Sequence, residues 1–257
     1  MKLRKINNVS LTASNINVGD SIKVGESANL IIDKIPEDLE KVYQKIRKIV
    51  ARQVNNPSNA QLLKRHNIPM SQTVFTHLVA FTKVIAEMFS DLACKDSSRQ
   101  MFYSKNHDAK LSDLFKKKLF QCAEFTIIAQ LYLQSVGVDS EYVGGEFVGS
   151  KNWEFGDQHS FVLIHENGID YVFDPANNNA NAMPNISVVE MTPEQKIKFQ
   201  ARLLTDKRKV AFFGTRDIMT NRKAFYGYGD GSYLEEDMFF TKDSFSQNIP
   251  KIDLYRS

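Results

Sequence analysis

The stretch His159-Ser160-Phe161-Val162-Leu163-Ile164-His165-Glu166-Asn167-Gly168-Ile169-Asp170-Tyr171-Val172-Phe173-Asp174 decides how this chain is read. Two runs rich in β-branched and aromatic residues flank Asn167-Gly168. That dipeptide suits the left-handed conformations of a two-residue hairpin turn. With 167 and 168 as the loop, Glu166 faces Ile169 and Phe161 faces Asp174. Directly opposed residues share a face, as do residues two apart on one strand. His159 and Asp174 are therefore expected on one face, about 7–8 Å apart between backbones and within side-chain reach. A four-residue loop would set them directly opposite, and an odd register would separate them unless a bulge restored the match.

Upstream stands Gln121-Cys122-Ala123-Glu124, followed by a strongly apolar helix over Ala123–Val136 that Gly137 ends as a left-handed cap. Cys122 thus opens a helix. The unpaired N–H groups and partial positive charge there favour thiolate over thiol. Taken alone, Cys122 reads as a small buried residue, His159 as a strand residue with a satisfied tip, and Asp174-Pro175 as a strand-ending turn. Together they have the layout of a thiol triad. The Cys attacks a carbonyl, the His moves the proton, and the Asp fixes the imidazole tautomer and stabilises imidazolium. Gln121 and the Cys122 N–H are candidates for holding an oxyanion.

These residues resemble the transglutaminase-like superfamily, which shares a papain-type Cys-His-Asp core. The likeness runs from Gln121-Cys122-Ala123-Glu124 through Ser135-Val136-Gly137-Val138 and Glu141-Tyr142-Val143-Gly144-Gly145. It continues over Gln158-His159-Ser160-Phe161-Val162 to Tyr171-Val172-Phe173-Asp174-Pro175. His159 lies 37 residues after Cys122, and Asp174 a further 15, in keeping with the family's spacing. The resemblance implies an α+β fold. Its papain-like, transglutaminase-like core would pack a central helix bearing Cys122 on an antiparallel sheet bearing His159 and Asp174, behind a helical N-terminal extension. It implies cysteine-dependent acyl transfer through a Cys122 thioester at an amide, the side chain of a protein glutamine first of all. Water as acceptor gives deamidation or proteolysis, and an amine gives cross-linking. Glutamine deamidase or transglutaminase ranks ahead of cysteine peptidase. A catalytically inactive transglutaminase-like binding module is the alternative from a different class. Trp153, six residues before His159, either lines the substrate site or packs in the core.

Outward from this core, residues 1–35 are polar and Asn/Ser-rich and read as an N-terminal arm with at most a weak hairpin. Residues 36–109 read as a helical region. Pro36 opens a helix with Leu39, Val42, Ile46, Ile49 and Val50 at helical spacing, and a short helix follows to about His66. Ser71 caps a helix whose broad apolar face carries Val74, Phe75, Leu78, Phe81 and Ile85. Residues 95–109 read as polar loop. Residues 110–257 form the expected catalytic domain, with a short helix over Leu111–Phe120, a helix from Thr192 to about Leu204, and a loop at Tyr226–Gly231. Lys116-Lys117-Lys118 reads as a solvated helix face. Gly227, Gly229 and Gly231 lack the strand-to-helix setting of a nucleotide loop. His66, His77 and His107 lack ligand spacing, so no metal and no cofactor are expected. His165 shares the His159 face but lies about 20 Å along the strand.

The whole-chain numbers exclude several classes. Lys and Arg total 33 against 30 Asp and Glu, a surplus too small for a dedicated nucleic-acid binder. Two cysteines, Cys94 and Cys122, make neither a disulfide framework nor a four-thiolate zinc site. Cys94, at the end of a buried helix, reads as structural. No apolar run is long enough to span a membrane, and no signal-peptide core follows the basic start. The richness in Asn, Lys and Ser suggests a bacterial protein, cytoplasmic in the producing cell or delivered into a host as an effector. The expected partner is a protein substrate, a host protein among the candidates.

Overall fold

The computed structural model describes residues 4–6, 9–13, 15–24, 28–89, 96–149, 157–177, 183–192, 194–195, 211–228 and 237–238. The fold is α+β, with helices gathered against a mostly antiparallel sheet. The N-terminal segment supplies β1 (Arg4–Ile6), β2 (Val9–Ala13), β3 (Ser21–Lys23) and β4 (Asn29–Ile31). Helices α1 (Glu37–Gln53), α2 (Pro57–Arg65), α3 (Gln72–Met88) and α4 (Asp96–Lys105) follow. Then come β5 (Asp108–Lys110), α5 (Leu111–Lys117) and α6 (Cys122–Ser135). The remaining strands are β6 (Ser140–Gly149), β7 (Asp157–Glu166), β8 (Ile169–Asp174), β9 (Asn185–Val189), β10 (Ala211–Asp217), β11 (Lys223–Tyr228) and β12 (Asp237–Met238).

Strands β6 to β11 close on themselves. Each pairs antiparallel with the next in the order β6, β7, β8, β9, β10, β11, and β11 returns to pair with β6. A ring has no free edge within it. Alternation along the strands then sorts side chains into two cores. Val143, Phe161, Val172, Phe213 and Tyr226 fill the ring, with Phe161 edge-on to both Phe213 and Tyr226. Tyr142, Val162, Ile164, Tyr171, Phe173 and Ile186 point outward into the core shared with the helices. Each such aromatic or aliphatic side chain contributes about 1.5–3 kcal/mol by burial.

Helix α6 is the centre of that outer core. Every residue from Ala123 to Leu133 is buried, so apolar residues face every side of the helix and its buried Glu124, Thr126 and Gln130 are hydrogen-bonded. Thr126 Oγ1 donates to the Ser160 carbonyl at 2.9 Å and Gln130 Nε2 to the Ser140 carbonyl at 2.8 Å, fixing α6 on β7 and β6. Gly137, at φ +76°, ends the helix as expected, with the Val138 N–H returning to the Leu133 carbonyl. Ser71 caps α3 through the Val74 N–H, also as expected.

Three expectations change. Residues 95–109 are not a loop: α4 occupies 96–105 and β5 follows. Only Tyr103 of α4's described side chains is buried, so no apolar stripe marks this helix in the sequence. The Asn/Ser-rich segment 1–35 is woven into the fold. β2 pairs with β6, β4 runs parallel to β5, and Ile16, Ile22, Leu30 and Ile32 enter the same core as α1, α3 and α6. One core thus runs through the segments 1–35, 36–109 and 110–257. Tyr226-Gly227-Tyr228 belongs to strand β11, not to a loop. Cys94, Trp153, Gly229, Gly231 and most of the helix expected after Thr192 lie outside the described residues. Among the described residues no helix is long and apolar enough to cross a membrane.

Candidate active site

Cys122 is the first residue of α6 and is partly exposed, with a free thiol. Its helix begins in a capping arrangement. The Gln121 backbone N–H donates to Glu124 Oε2 at 2.9 Å, so the Glu three residues on satisfies one orphan donor of the first turn.

The hairpin sets the other two groups. Glu166 pairs with Ile169 and Val162 with Phe173, the register expected from the Asn167-Gly168 turn. Asn167 and Gly168 both adopt positive φ, 52° and 78°. On the other side His159 stands opposite Gly145 of β6. His159 and Asp174 therefore share the inner face of the ring near one mouth, and His159 Nε2 meets Asp174 Oδ2 at 2.7 Å. The Cys122 sulfur lies close enough to the same imidazole to favour its charged form. The structure thus joins His159 to Asp174 across adjacent strands and sets Cys122, at the start of α6, near that pair.

Asp174 is wholly buried yet richly satisfied. Asn177 Nδ2 donates to Oδ2 at 2.8 Å and the Tyr226 hydroxyl to Oδ2 at 3.2 Å. The Ala176 and Asn177 backbone N–H groups donate to Oδ1, each at 3.2 Å. Burial by itself raises its pKa, but the His159 charge and these donors outweigh burial and hold the carboxyl below the usual range. For His159, burial favours the neutral ring, but the charge and hydrogen bond of Asp174, with Cys122 adding to them, push the imidazole up to about 10. At neutral pH the ring is held as imidazolium, so Nε2–H donates to the carboxylate.

Tyr226 and Asn177 were not singled out in the sequence. Tyr226 lies in β11, 52 residues beyond Asp174, and reaches it only because the ring closes. Its ring packs on Phe161 at 4.9 Å and on His159 at 6.3 Å between centroids. Asn177 carried a local signal, three residues past an Asp at a strand end. Arg99 and Tyr103 of α4 also reach the start of α6, at Glu124.

The other sequence candidates fall elsewhere. His165 sits at the opposite end of β7, with Nδ1 on Asp170 Oδ1 at 2.8 Å and Nε2 on Glu141 Oε1 at 2.9 Å. Those two hydrogen bonds, against partial burial, push it up to about 9. His77 Nδ1 meets the Tyr132 hydroxyl at 2.7 Å inside the helical layer, where burial lowers its pKa. Lys117 lies over the Phe102 ring. Among the described residues no group of three or more His, Cys, Asp and Glu is arranged to hold a metal ion.

No protein-family model matches this chain. No curated protein matches it either.

Proposed function

We propose that this protein is a cysteine-dependent acyl-transfer enzyme with a papain-like, transglutaminase-like core, acting on a protein glutamine. The observation that carries the reading is the buried His159–Asp174 pair on two neighbouring strands, with Cys122 at a helix start within electrostatic reach of the imidazole. Support for the core comes from α6, which bears Cys122 and is pinned to β6 and β7 by Gln130 and Thr126.

The chemistry follows from the roles such groups take. The Cys122 thiolate adds to the side-chain amide carbon, and the carbonyl electrons move onto oxygen. The N–H groups at the start of α6 lie at the positive end of the helix, where that oxyanion is stabilised. The intermediate collapses. The C–N bond breaks, the nitrogen takes a proton from His159, and ammonia leaves a thioester. Water then gives its proton to His159 and attacks the thioester, releasing glutamate and the thiolate. An amine in place of water gives a new amide. Asp174 holds the imidazole in line throughout without taking the proton.

The test incubates candidate protein substrates with the wild type and with Cys122→Ala. Ammonia release with Gln-to-Glu conversion supports deamidation, and an amine adduct supports transamidation. Backbone cleavage would instead mark a peptidase. Binding without any turnover, and with an unreactive Cys122, would mark a binding module.

A further inference from the structure

Glu124 lies two residues beyond Cys122 and is completely buried. A carboxylate there competes with a Cys122 thiolate for the same positive helix end, since both are anions in one turn. The structure answers with a dedicated cation. Arg99 of α4 places Nε 2.9 Å and 3.1 Å from the two Glu124 oxygens, and Nη2 2.9 Å from Oε1. Nη2 also donates to the Val24 carbonyl at 3.2 Å, and Tyr103 donates its hydroxyl to Oε1 at 2.7 Å. The guanidinium lies 4.9 Å from the Tyr103 ring centroid, so that ring also holds it in place.

We propose that Arg99 is a positioning residue for Cys122: by gripping and neutralising Glu124, it lets the first turn of α6 carry a thiolate beside the His159 imidazolium. The proposal rests on the reading of Cys122 as nucleophile. Arg99 and Cys122 are within electrostatic reach, and the sulfur adds to the influences that keep Arg99 charged. Among the described residues, the titratable groups facing this turn are Arg99 and Tyr103 from α4, Tyr142 from β6, His159 from β7 and Glu124 from α6 itself. Tyr142 and Tyr103 stay neutral because burial raises them well above their usual range. Arg99 is thus the one fixed cation in this set, and His159 the one that moves its proton. A helix that read as polar loop thereby becomes part of the site's electrostatics.

The test is the pH profile of Cys122 alkylation by iodoacetamide, with the modified residue mapped by mass spectrometry. Arg99→Met leaves Glu124 uncompensated. The acid limb should move up by about one pH unit or more, about tenfold slower labelling on that limb. Arg99→Lys should keep most of the wild-type profile. The double variant Arg99→Met with Glu124→Gln removes both charges and should return the limb to its wild-type position. If Arg99→Met does not fold, the double variant and Arg99→Lys still decide. An unshifted limb in Arg99→Met, or a limb in the double variant displaced by as much as in Arg99→Met, would overturn the proposal and leave α4 a structural staple. A displaced limb in the double variant has the same meaning when Arg99→Met is unavailable. If wild-type Cys122 itself shows no His159-dependent reactivity, the nucleophile reading fails, and this inference with it.

Discussion

His159 and Asp174 sit 15 residues apart on adjacent strands, and their side chains meet at 2.7 Å across a hairpin whose register is set by Asn167-Gly168. The carboxylate is completely buried and the imidazole nearly so. A buried His–Asp pair is a strong local constraint as well as a chemical one, and removing either partner strands the other.

Asp174→Ala should therefore destabilise the fold by about 3–5 kcal/mol, read as a shift in the urea midpoint. Asp174→Asn keeps the shape but loses the charge that fixes the imidazolium. Its turnover should fall by about 10²–10⁴ with a smaller stability change. Equal stability and turnover effects in Asp174→Asn would argue against a role in chemistry.

The pair also sets a pH window. Asp174 is depressed on folding, so its contribution is present above the ordinary carboxylate value of about 3.9 and is lost as pH falls through the folded value. His159 is raised, so its contribution is full below about 6.5 and is lost as pH rises through about 10. The stability difference between the wild type and Asp174→Asn should peak between about pH 4 and about pH 6.5. It should shrink towards pH 10. Denaturant titrations across that range measure it, and a difference that grows with alkalinity would contradict the assignment.

Tyr226→Phe removes one donor from Asp174 while leaving the ring packed edge-on against Phe161 and tilted against His159. A hydrogen bond to a charged group contributes about 1.5–3 kcal/mol. Turnover should drop by about tenfold, and the alkaline limb of the pH–rate profile should move, since the carboxylate that holds His159 loses a partner. A fall in thermal stability with an unmoved pH profile would make Tyr226 a packing residue only.

His165 offers a control at the far end of the ring. Its two nitrogens bridge Asp170 and Glu141, and it is pushed up to about 9. Its contribution is full below about 6.5 and is lost as pH rises through about 9. His165→Gln should cost about 1 kcal/mol at neutral pH, little at pH 10, and nothing in Cys122 labelling. A change in labelling would mean that the two ends of β7 are coupled.

The parts of this architecture legible in the sequence are those with local signals. Asn167-Gly168 between alternating runs fixed the hairpin and the shared face of His159 and Asp174. The strongly apolar helix before Gly137 identified α6, and Cys122 at its start followed. Contacts made by polar side chains or by distant strands left no such mark. Arg99 and Tyr103 hold α4 to Glu124 through charge and a hydroxyl, which hydrophobic periodicity does not register. Tyr226 reaches Asp174 only through closure of β11 onto β6, a pairing between segments some 80 residues apart. The same holds for β2, a strand of five residues that joins β6 from far along the chain.

The central claim is that Cys122 is a nucleophile activated by His159. Its most direct test is iodoacetamide labelling at about pH 6 in the intact protein, mapped to each cysteine, for the wild type and His159→Ala. Cys122 should label fast in the wild type and much more slowly in His159→Ala, with Cys94 slow in both. Slow, equal labelling of Cys122 and Cys94 in the wild type, unchanged by His159→Ala, would contradict the claim.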